Sequence, residues 1–437
     1  AKSGLPLAQK HCLKYDKHAF IIGWKLFVGS YECKALSPDK DFVLQNKSLA
    51  DHVSEKYPEI YMIVGGPHVS LNPSEVFVST LRANTIKGTD ANDSELPSFL
   101  QNPVKEIKSP FDAVCIGEGE HAMVELVTQL ESGEQPSGIP NLWIKNGDSI
   151  EKNASSPFLQ DLDSLPFPNR EIWFEWMGES TDSRFSILLG RGCPYLCTYC
   201  ANHALRQITD GKYVRFRSPD NIVEEIQYLQ EKYPENRDYF FEVETFNVKL
   251  DWIYELCDKL EALNNSLDEP LVFGTNYRVG AKSDYDNMFA AFNRANIRDL
   301  TVGLESGSER VRKEILKRYY SNEDMITMVK AARKHGLAIA FQNMIGLPGE
   351  TEEEFMETVK MNRICQPDKY MLSIFYPYPG TELAHVCEEM GLLDGGIDDR
   401  MERMITTLEI PSFPSKRIKH RCVMFHYDVY KGKKPFY

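Results

Sequence analysis

Three cysteines on one short segment are the residues of this chain whose spacing most clearly indicates chemistry. Cys193, Cys197 and Cys200 form the pattern CxxxCxxC directly after the apolar stretch 185–189. Three thiolates on one loop can ligate three irons of a [4Fe-4S] cluster and leave the fourth iron without a protein ligand. A zinc site is the alternative, but zinc sites usually take four ligands in two pairs, and no second Cys or His pair lies nearby. The pattern therefore favours an iron–sulfur cluster with one open, reactive iron.

The size and composition of the chain narrow the class of protein. With 437 residues, 42% of them hydrophobic, the chain can form two or three domains with full cores. The net charge of −14 argues against nucleic acid, which needs a basic groove. The seven cysteines outside the trio show no paired framework, which indicates a reducing compartment and predicts a cytoplasmic protein.

The termini and the apolar runs of the chain indicate little about its function. No apolar run is long enough for a membrane span, and no signal peptide is visible. The chain begins at Ala1, so we expect the natural N-terminus to be missing. The basic segment 416–421 is interpreted as a solvated helix face.

The first part of the chain, residues 1–148, alternates short apolar runs with helical patterns. Strands are predicted at 19–23, 61–65 and 112–117, and helices at 41–57 and 121–131. Such alternation predicts an α/β domain with a doubly wound, Rossmann-like parallel sheet. Residues 79–110 read as a long loop, and the proline-containing segment 149–182 as a linker.

From residue 183 the alternation restarts and predicts a second domain, residues 183–380. The strand candidates are 185–189, 239–243, 271–277, 299–304, 338–345 and 370–375, and the helices lie near 219–232, 250–263, 283–294, 308–334 and 351–366. Six units in succession predict a partial (β/α)6 barrel, in which chemistry takes place at the carboxyl ends of the strands. The cysteine loop follows the first of these strands. Residues 381–437 are a short C-terminal extension.

Several strand ends after the cysteine loop carry charged or glycine-rich segments. They include Glu242-Val-Glu-Thr-Phe246, Arg278, Gly303-Leu-Glu-Ser-Gly307 and Gln342-Asn-Met-Ile-Gly-Leu-Pro-Gly-Glu350. In this order after CxxxCxxC they resemble the radical S-adenosylmethionine (SAM) enzymes, over roughly residues 60 to 380. The segment Tyr376-Pro-Tyr-Pro-Gly-Thr-Glu-Leu383 is similar to one common in the cobalamin-binding (class B) branch of that superfamily.

The resemblance implies a set of SAM contacts. Tyr199 corresponds to the aromatic residue that packs beside the adenine, and either Glu242 or Glu244 to the carboxylate that holds the SAM amino group. The family's Gly-Gly-Glu motif lacks its glycines here, so the two glutamates remain alternatives, with Glu244 favoured. Arg278 is placed to pair with the SAM carboxylate, and Glu305 to bond the ribose or the amino group. The other expected SAM contacts, near the adenine, are Gln342, Ile345 and Gly346.

The same resemblance implies that the first domain binds cobalamin. Glycine-rich loops follow two of its strands, where open parallel sheets bind ligands. The predicted cobalamin contacts are Gly65, Gly66, Pro67, His68, Val69, Ser70, Gly117, Glu118, Gly119 and Glu120. A nicotinamide or flavin site is disfavoured because the GxGxxG fingerprint is lacking. The pattern Asp-x-His-x-x-Gly is also absent, so we expect His68 to be a polar loop contact rather than the lower cobalt ligand.

The function implied is a cobalamin-dependent radical SAM methyltransferase, which transfers a SAM-derived methyl through methylcobalamin to an unactivated carbon. Its cofactors would be a [4Fe-4S] cluster, SAM and cobalamin, and its partner a one-electron donor such as flavodoxin or ferredoxin. One alternative is a cobalamin-dependent radical SAM cyclase or rearrangement enzyme without methyl transfer. Another is a non-catalytic iron–sulfur redox or sensor protein. The substrate, a small molecule or peptide, and any acid or base residue cannot be identified from the sequence.

Overall fold

The computed structural model describes residues 19–23, 61–65, 111–147, 149–171, 184–281, 283–393 and 403–432. The predicted helix at 41–57, the loop at 79–110 and the predicted cobalamin contacts at 66–70 lie outside the described residues.

The first sheet has five strands in sequence order, β1 (Ala19–Gly23), β2 (Tyr61–Gly65), β3 (Ala113–Cys115), β4 (Leu142–Asn146) and β5 (Ser149–Lys152). The first three are parallel, as predicted, whereas β3, β4 and β5 pair antiparallel. Helix α1 (Glu120–Glu131) follows β3 and buries Ala122 and Leu126. This mixed sheet extends to Lys152, four residues beyond the predicted end of the domain at 148.

The sequence pattern did not predict the β4–β5 hairpin, although its turn leaves a local signal. Asn146 pairs with Ser149, and Gly147 between them adopts φ 58°. A two-residue hairpin turn requires such a positive φ, which glycine adopts at little cost. The hairpin places Leu142 and Ile144 in the core of the first domain, where they are at most 1% exposed.

The second domain contains a six-stranded parallel sheet and one short antiparallel pair of strands. Its strands in chain order are β6 (Phe185–Leu188), β7 (Gly190–Arg191), β8 (Arg215–Phe216), β9 (Asp238–Glu242), β10 (Val272–Tyr277), β11 (Ile297–Glu305), β12 (Ala338–Ile345) and β13 (Lys369–Ile374). The sheet order is β13-β12-β11-β10-β9-β6, and β7 pairs with β8 separately. Strands adjacent in the sheet are consecutive βα units, which confirms the predicted partial barrel.

Helices connect the strands. They are α2 (Asn202–Leu205), α3 (Pro219–Lys232), α4 (Leu250–Asn265), α5 (Tyr285–Arg294), α6 (Asn322–Lys334), α7 (Glu352–Cys365), α8 (Glu382–Glu389) and α9 (Ser415–Tyr430). The predicted helix 308–334 is wrong in its extent. A π-helical turn, Val311–Ile315, is followed by Lys317 at φ 52°, and Ser321 then starts α6 with a capping box to Asp324. A Ser-x-x-Asp cap satisfies the free N–H groups of a new helix, so it begins one here.

The two faces of the second sheet differ in burial, and this alternation decides where a ligand can bind. In β12 the odd-numbered residues, Ile339 to Ile345, are buried, whereas the even-numbered residues are only half-buried. Ile339 and Phe341 of the buried set pack in the main hydrophobic core, and Ile345 packs in a second core. The opposite, less buried face is the interior of the partial barrel.

The C-terminal segment completes the second domain. Helix α9 packs on α7, and its Ile418 and Phe425 join Leu347 and Phe355 in a second core. On its exposed side Arg417 pairs with Glu352 of α7. No helix among the described residues is both long and apolar enough to cross a membrane.

Candidate active site

The cysteine loop begins at a close contact between two backbone segments. Gly190 and Gly192 flank Arg191 in the short strand β7, which pairs with β8. A Cβ on Gly192 would overlap the carbonyl oxygen of Tyr213, and Gly192 adopts φ 83°. Glycine at this position therefore allows β8 to lie directly against the start of the loop.

The three predicted ligand thiols are free, and each has its own polar neighbour. The pairs are Cys193 Sγ with Thr245 Oγ1 at 3.3 Å, Cys197 Sγ with Arg278 Nη1 at 3.2 Å, and Cys200 Sγ with Asn202 Nδ2 at 3.5 Å. Hydrogen bonds to the sulfurs are among the factors that set the reduction potential of an iron–sulfur cluster. The sulfurs of Cys197 and Cys200 thus already accept from a side-chain donor, whereas either atom can donate in the Cys193–Thr245 pair.

The chemistry of these thiols fits a cluster. Burial, with a smaller contribution from the other thiols, raises the pKa of Cys200 to about 11, and burial also raises the pKa of Cys193. Metal binding must therefore displace their protons. Within the described part of the chain no three His, Cys, Asp or Glu side chains converge on a single ion. A [4Fe-4S] cluster has four irons, so its ligands stand farther apart than those of one zinc ion.

A buried polar network links the cysteine loop to the end of β11. Tyr199 donates its hydroxyl to Glu305 Oε1 at 2.9 Å, and Arg318 Nη1 lies 3.1 Å from the Tyr199 oxygen and 3.3 Å from Glu305 Oε1. Arg318 also donates to the carbonyl of Gly303 at 2.8 Å. Glu305 is 9% exposed and adopts φ 57°. A non-glycine residue in this region is strained, and such strain concentrates at functional sites.

The electrostatics of this network keep the arginine charged. Burial alone would lower the pKa of Arg318, but Tyr199, Tyr320 and the Glu305 carboxylate raise it well above its usual value. Burial and the negative charge of Glu305 raise the pKa of Tyr199. The network is therefore an ion pair of Arg318 and Glu305 to which the neutral Tyr199 hydroxyl is bonded.

Arg278 lies beside the cysteine loop, as its proposed role requires. Its guanidinium stacks over the Tyr195 ring at 3.8 Å from the centroid. The Asn247 side chain fixes the Arg278 backbone through hydrogen bonds of 2.7 and 3.1 Å. This side chain therefore places a cation next to Cys197, on the interior face of the sheet.

The two candidate glutamates after β9 have different surroundings. Glu242 Oε1 accepts a 3.3 Å hydrogen bond from Ser186 on the neighbouring strand. Glu244 is exposed, yet surrounding protein raises its pKa, against the opposing effect of the Gly192 N–H. Glu244 thus lies beside the cysteine loop, while Glu242 lies between the strands.

The residues at the end of β12 include one side chain on the open face. Gln342 is half-buried, whereas Ile345 is fully buried in the second core. Gly346 follows at φ 81°, and a Cβ there would lie 3.1 Å from Ile418. Glu350 Oε2 accepts from the N–H groups of Gly346 and Leu347 at 2.8 and 3.2 Å. The Ile345 side chain therefore cannot contact a ligand, and the Ile345 carbonyl already accepts from the Phe375 N–H at 2.8 Å.

The described cobalamin candidates lie at the carboxyl edge of the first sheet. Gly65 is close to Cys115, which would meet an added Cβ at 3.2 Å. Among the described residues, an added Cβ on Gly117, at φ 80°, would touch Ile208 at 3.8 Å. The side chains of Glu118 and Glu120 bind arginines of the second domain instead of pointing into open space.

A family comparison identifies the second domain. Residues 187–361 match the model of the Radical SAM superfamily, and this range begins in the strand before the cysteine loop and includes Glu305 and Gln342. The second domain of this chain is a radical SAM domain. Its family assignment from the sequence is therefore confirmed.

Individual relatives extend the likeness beyond the radical SAM domain. The chain is 26% identical over 337 residues to an uncharacterised methyltransferase of Pyrococcus horikoshii, covering 77% of this chain and 64% of that protein. It is 24% identical over 295 residues to the anaerobic magnesium-protoporphyrin IX monomethyl ester cyclase of Rubrivivax gelatinosus, covering 65% and 51%. The chain thus spans about half to two thirds of the length of these curated relatives.

A solved structure shares the whole fold. The radical SAM methyltransferase TsrM of Kitasatospora setae, solved with tryptophan and a SAM analogue, superposes with a TM-score of 0.62 at 15% identity and covers 89% of this chain and 68% of its own. Another structure of TsrM holds cobalamin and a [4Fe-4S] cluster. The likeness shows that the fold of this chain is a known one.

Further contacts of the radical SAM loop come from distant parts of the chain. The Thr198 hydroxyl donates to the Ile315 carbonyl at 2.6 Å, and the Thr198 carbonyl accepts from Leu383 N–H at 2.9 Å. His203 Nε2 accepts from the N–H of Glu382 at 3.2 Å. The first turn of α8 therefore packs against the cysteine loop and against α2.

Sequence reasoning missed several residues of the site. Arg318 is the most important, and Thr245, Asn202 and Tyr213 belong to the sulfur environment, since Tyr213 donates to Asn202 Oδ1 at 2.6 Å. Asn202 lies two residues after Cys200 in the sequence, so its proximity to the Cys200 sulfur could have been predicted. Arg318 left no sequence signal, because only the π-helical turn brings it back to Glu305.

Proposed function

We propose that this protein is a cobalamin-dependent radical SAM methyltransferase that transfers a SAM-derived methyl group to an unactivated carbon. The observation that carries the proposal is the position of the three free thiols. They lie on one loop between the Tyr199–Glu305–Arg318 network and the glycine loop of the first domain. When bound, the cluster and SAM supply an electron and a radical, and cobalamin supplies a methyl carrier.

The chain itself provides the charges that SAM needs. SAM carries a carboxylate and an ammonium, so its pocket requires a cation and an anion at fixed positions. The two terminal nitrogens of Arg318 already contact Glu305, Tyr199 and Gly303. Arg278, which makes one sulfur contact and one ring contact, is therefore the better partner for the SAM carboxylate.

The anion for the ammonium is proposed from three candidates. Glu305 is fixed by Tyr199 and Arg318, whereas the Glu244 side chain is exposed. Glu242 contacts Ser186. We favour Glu244, because a flexible carboxylate can approach an incoming ammonium without losing an existing ion pair. Gln342 and the backbone of Ile345 and Gly346 are proposed to face the adenine beside Tyr199.

A second candidate function is cyclisation or rearrangement without methyl transfer. The similarity to the magnesium-protoporphyrin IX monomethyl ester cyclase favours it. Both reactions would use the same cofactors and the same charged pocket. They differ only in whether the methyl group of SAM appears in the product.

The decisive experiment traces an isotopic label from the methyl group of SAM into the product. The protein is reconstituted anaerobically, loaded with cobalamin and reduced. It is then incubated with SAM that carries a deuterated methyl group and with extracts that contain candidate substrates. A product with the labelled methyl supports the methyltransferase. Formation of 5′-deoxyadenosine with an unlabelled product supports the cyclase, and absence of 5′-deoxyadenosine supports the redox or sensor protein.

The cluster assignment has its own control. The variant with Cys193, Cys197 and Cys200 all replaced by Ala should lose nearly all iron and sulfide, because no other described thiols share a loop. Cys422→Ala, which changes a half-buried thiol on α9, is the matched control and should retain them. Retention of iron and sulfide by the triple variant would refute the assignment.

The proposed cofactors require an external reductant. We propose a low-potential one-electron donor of the flavodoxin or ferredoxin type as the partner. A chemical reductant that supports SAM cleavage while reduced flavodoxin and ferredoxin both fail would contradict this choice.

A further inference from the structure

A group of four charged side chains joins the first domain to the cysteine loop. Arg191, two residues before Cys193, donates to Glu118 Oε1 at 2.9 Å and to Glu120 Oε1 at 2.5 Å. Both glutamates follow β3, at the edge of the first sheet where we place cobalamin. With Arg215, these residues form a group that we name the interdomain clasp (Glu118, Glu120, Arg191 and Arg215).

Glu118 is the centre of the interdomain clasp. Its carboxylate also accepts from Arg215 Nη1 at 2.9 and 3.0 Å and from the N–H of Leu159 at 2.7 Å. Arg215 lies in β8, and Leu159 lies in the segment between the two sheets. One carboxylate thus receives donors from the cysteine loop, from β8 and from the connecting segment.

Burial makes these contacts stronger than surface ion pairs. The Arg215 side chain is 4% exposed and the Glu118 side chain 18% exposed. Arg215 also stacks over Phe158 of the connecting segment, 5.0 Å from the ring centroid. Burial alone would raise the pKa of Glu120, but the hydrogen bond and charge of Arg191 lower it. Charge-assisted hydrogen bonds of this kind fix geometry as well as adding energy.

We infer that Glu118 and Arg191 are positioning residues that set the distance between the ligand loop of the first domain and the iron–sulfur cluster. The inference rests on the proposed function for the identity of the two cofactors. The interdomain clasp itself consists only of side chains of this chain. Its loss should let the two loops move apart while both domains remain folded.

The first test needs no cofactor activity. Amide hydrogen exchange is measured on reconstituted wild type and on Arg191→Gln, with Arg294→Gln as the matched control. Arg294 also binds two carboxylates, Glu261 and Asp258, but on the outer helices. Loss of a charge-assisted bond should speed exchange about tenfold in the segments 113–119 and 190–199 together. The control should change neither segment.

The second test measures the distance between the cofactors. In protein that holds a reduced cluster and cob(II)alamin, the magnetic coupling of the two centres is measured by pulsed electron paramagnetic resonance. Arg191→Gln should change the coupling while iron and cobalt contents remain at the wild-type level. Glu120→Gln, whose side chain is 36% exposed in the wild type, gives a milder variant that should shift the coupling in the same direction if Arg191→Gln does not fold.

The outcomes separate this inference from the proposed function. Faster exchange in the cysteine loop alone, or in neither segment, would show that Arg191 braces only its own loop and would overturn the inference. An unchanged coupling with full cofactor content would also overturn it. Wild-type protein that takes up no cobalamin would instead refute the proposed function. The hydrogen-exchange result would then decide by itself whether the interdomain clasp holds the two segments together.

Discussion

Replacement of Arg278 by Gln tests the electrostatics of the cluster site directly. In the wild type the guanidinium donates to Cys197 Sγ at 3.2 Å and lies over the Tyr195 ring. Glutamine retains a donor group of smaller reach and removes the positive charge. Because the loop and its thiols do not depend on this side chain for their backbone conformation, we expect the cluster to assemble normally.

The magnitude follows from the charge-assisted contact. Such a hydrogen bond contributes about 1.5–3 kcal/mol. Adding one electron to the cluster increases the negative charge on its sulfurs, so the cation stabilises the reduced form more than the oxidised form. If the contact acts fully on the reduced form, its loss should lower the one-electron potential by roughly 60–130 mV, since 59 mV corresponds to a tenfold change in equilibrium constant. The same energy predicts SAM binding weakened roughly tenfold to a hundredfold.

The assay is an anaerobic redox titration followed by electron paramagnetic resonance, together with SAM binding by equilibrium dialysis. Arg278→Lys is the control, because it retains the charge but lacks the planar fork, and it should give intermediate values in both measurements. If Arg278→Gln has normal iron content, an unchanged potential and unchanged SAM affinity, Arg278 only braces the barrel and the assigned motif lies elsewhere.

Three further predictions concern the loops around the site. Gly192→Ala should abolish cluster incorporation, measured as iron per chain, because the new Cβ would overlap the Tyr213 carbonyl; normal iron content would contradict the close contact. Tyr199→Phe should destabilise the protein by about 1–2 kcal/mol in chemical denaturation, since it removes the hydrogen bond to the buried Glu305; an unchanged midpoint would show that the bond contributes nothing. Burial raises the pKa of Glu350 to about 8, so its ionisation opposes folding, and wild-type stability should fall as the pH rises from 4.5 to 8. Glu350→Gln should lose that dependence, and parallel denaturation profiles of the two proteins between pH 5 and 8 would refute the assignment.

The sequence located the main elements of the fold because their patterns are local. Strand β12 and helix α3 lie at the predicted residues, since alternation in a strand and the apolar face of a helix are set by neighbours in the chain. The hairpin β4–β5 and the interruption before α6 were missed. Both depend on backbone turns, at Gly147 and Lys317, whose φ values periodicity does not reveal.

The residues of the candidate site likewise fall into those that the sequence predicts and those that only the structure shows. CxxxCxxC is a spacing on one loop, so the sequence alone predicts the cluster ligands and, through them, the superfamily whose model matches residues 187–361. The roles given to Glu244, Glu305 and Gln342 remain predictions. The structure adds that Glu305 is held by Arg318, a residue without any pattern of its own.

Only the tertiary structure shows how the loop after β3 is joined to the cysteine loop. Glu118 entered the sequence analysis as a ligand contact, yet its carboxylate binds Arg191 and Arg215, which lie 73 and 97 residues away in the chain. The residue types at these positions are compatible with many partners. A buried carboxylate takes whichever donors the packed domains bring within hydrogen-bond distance, and that depends on the fold as a whole rather than on spacing along the chain.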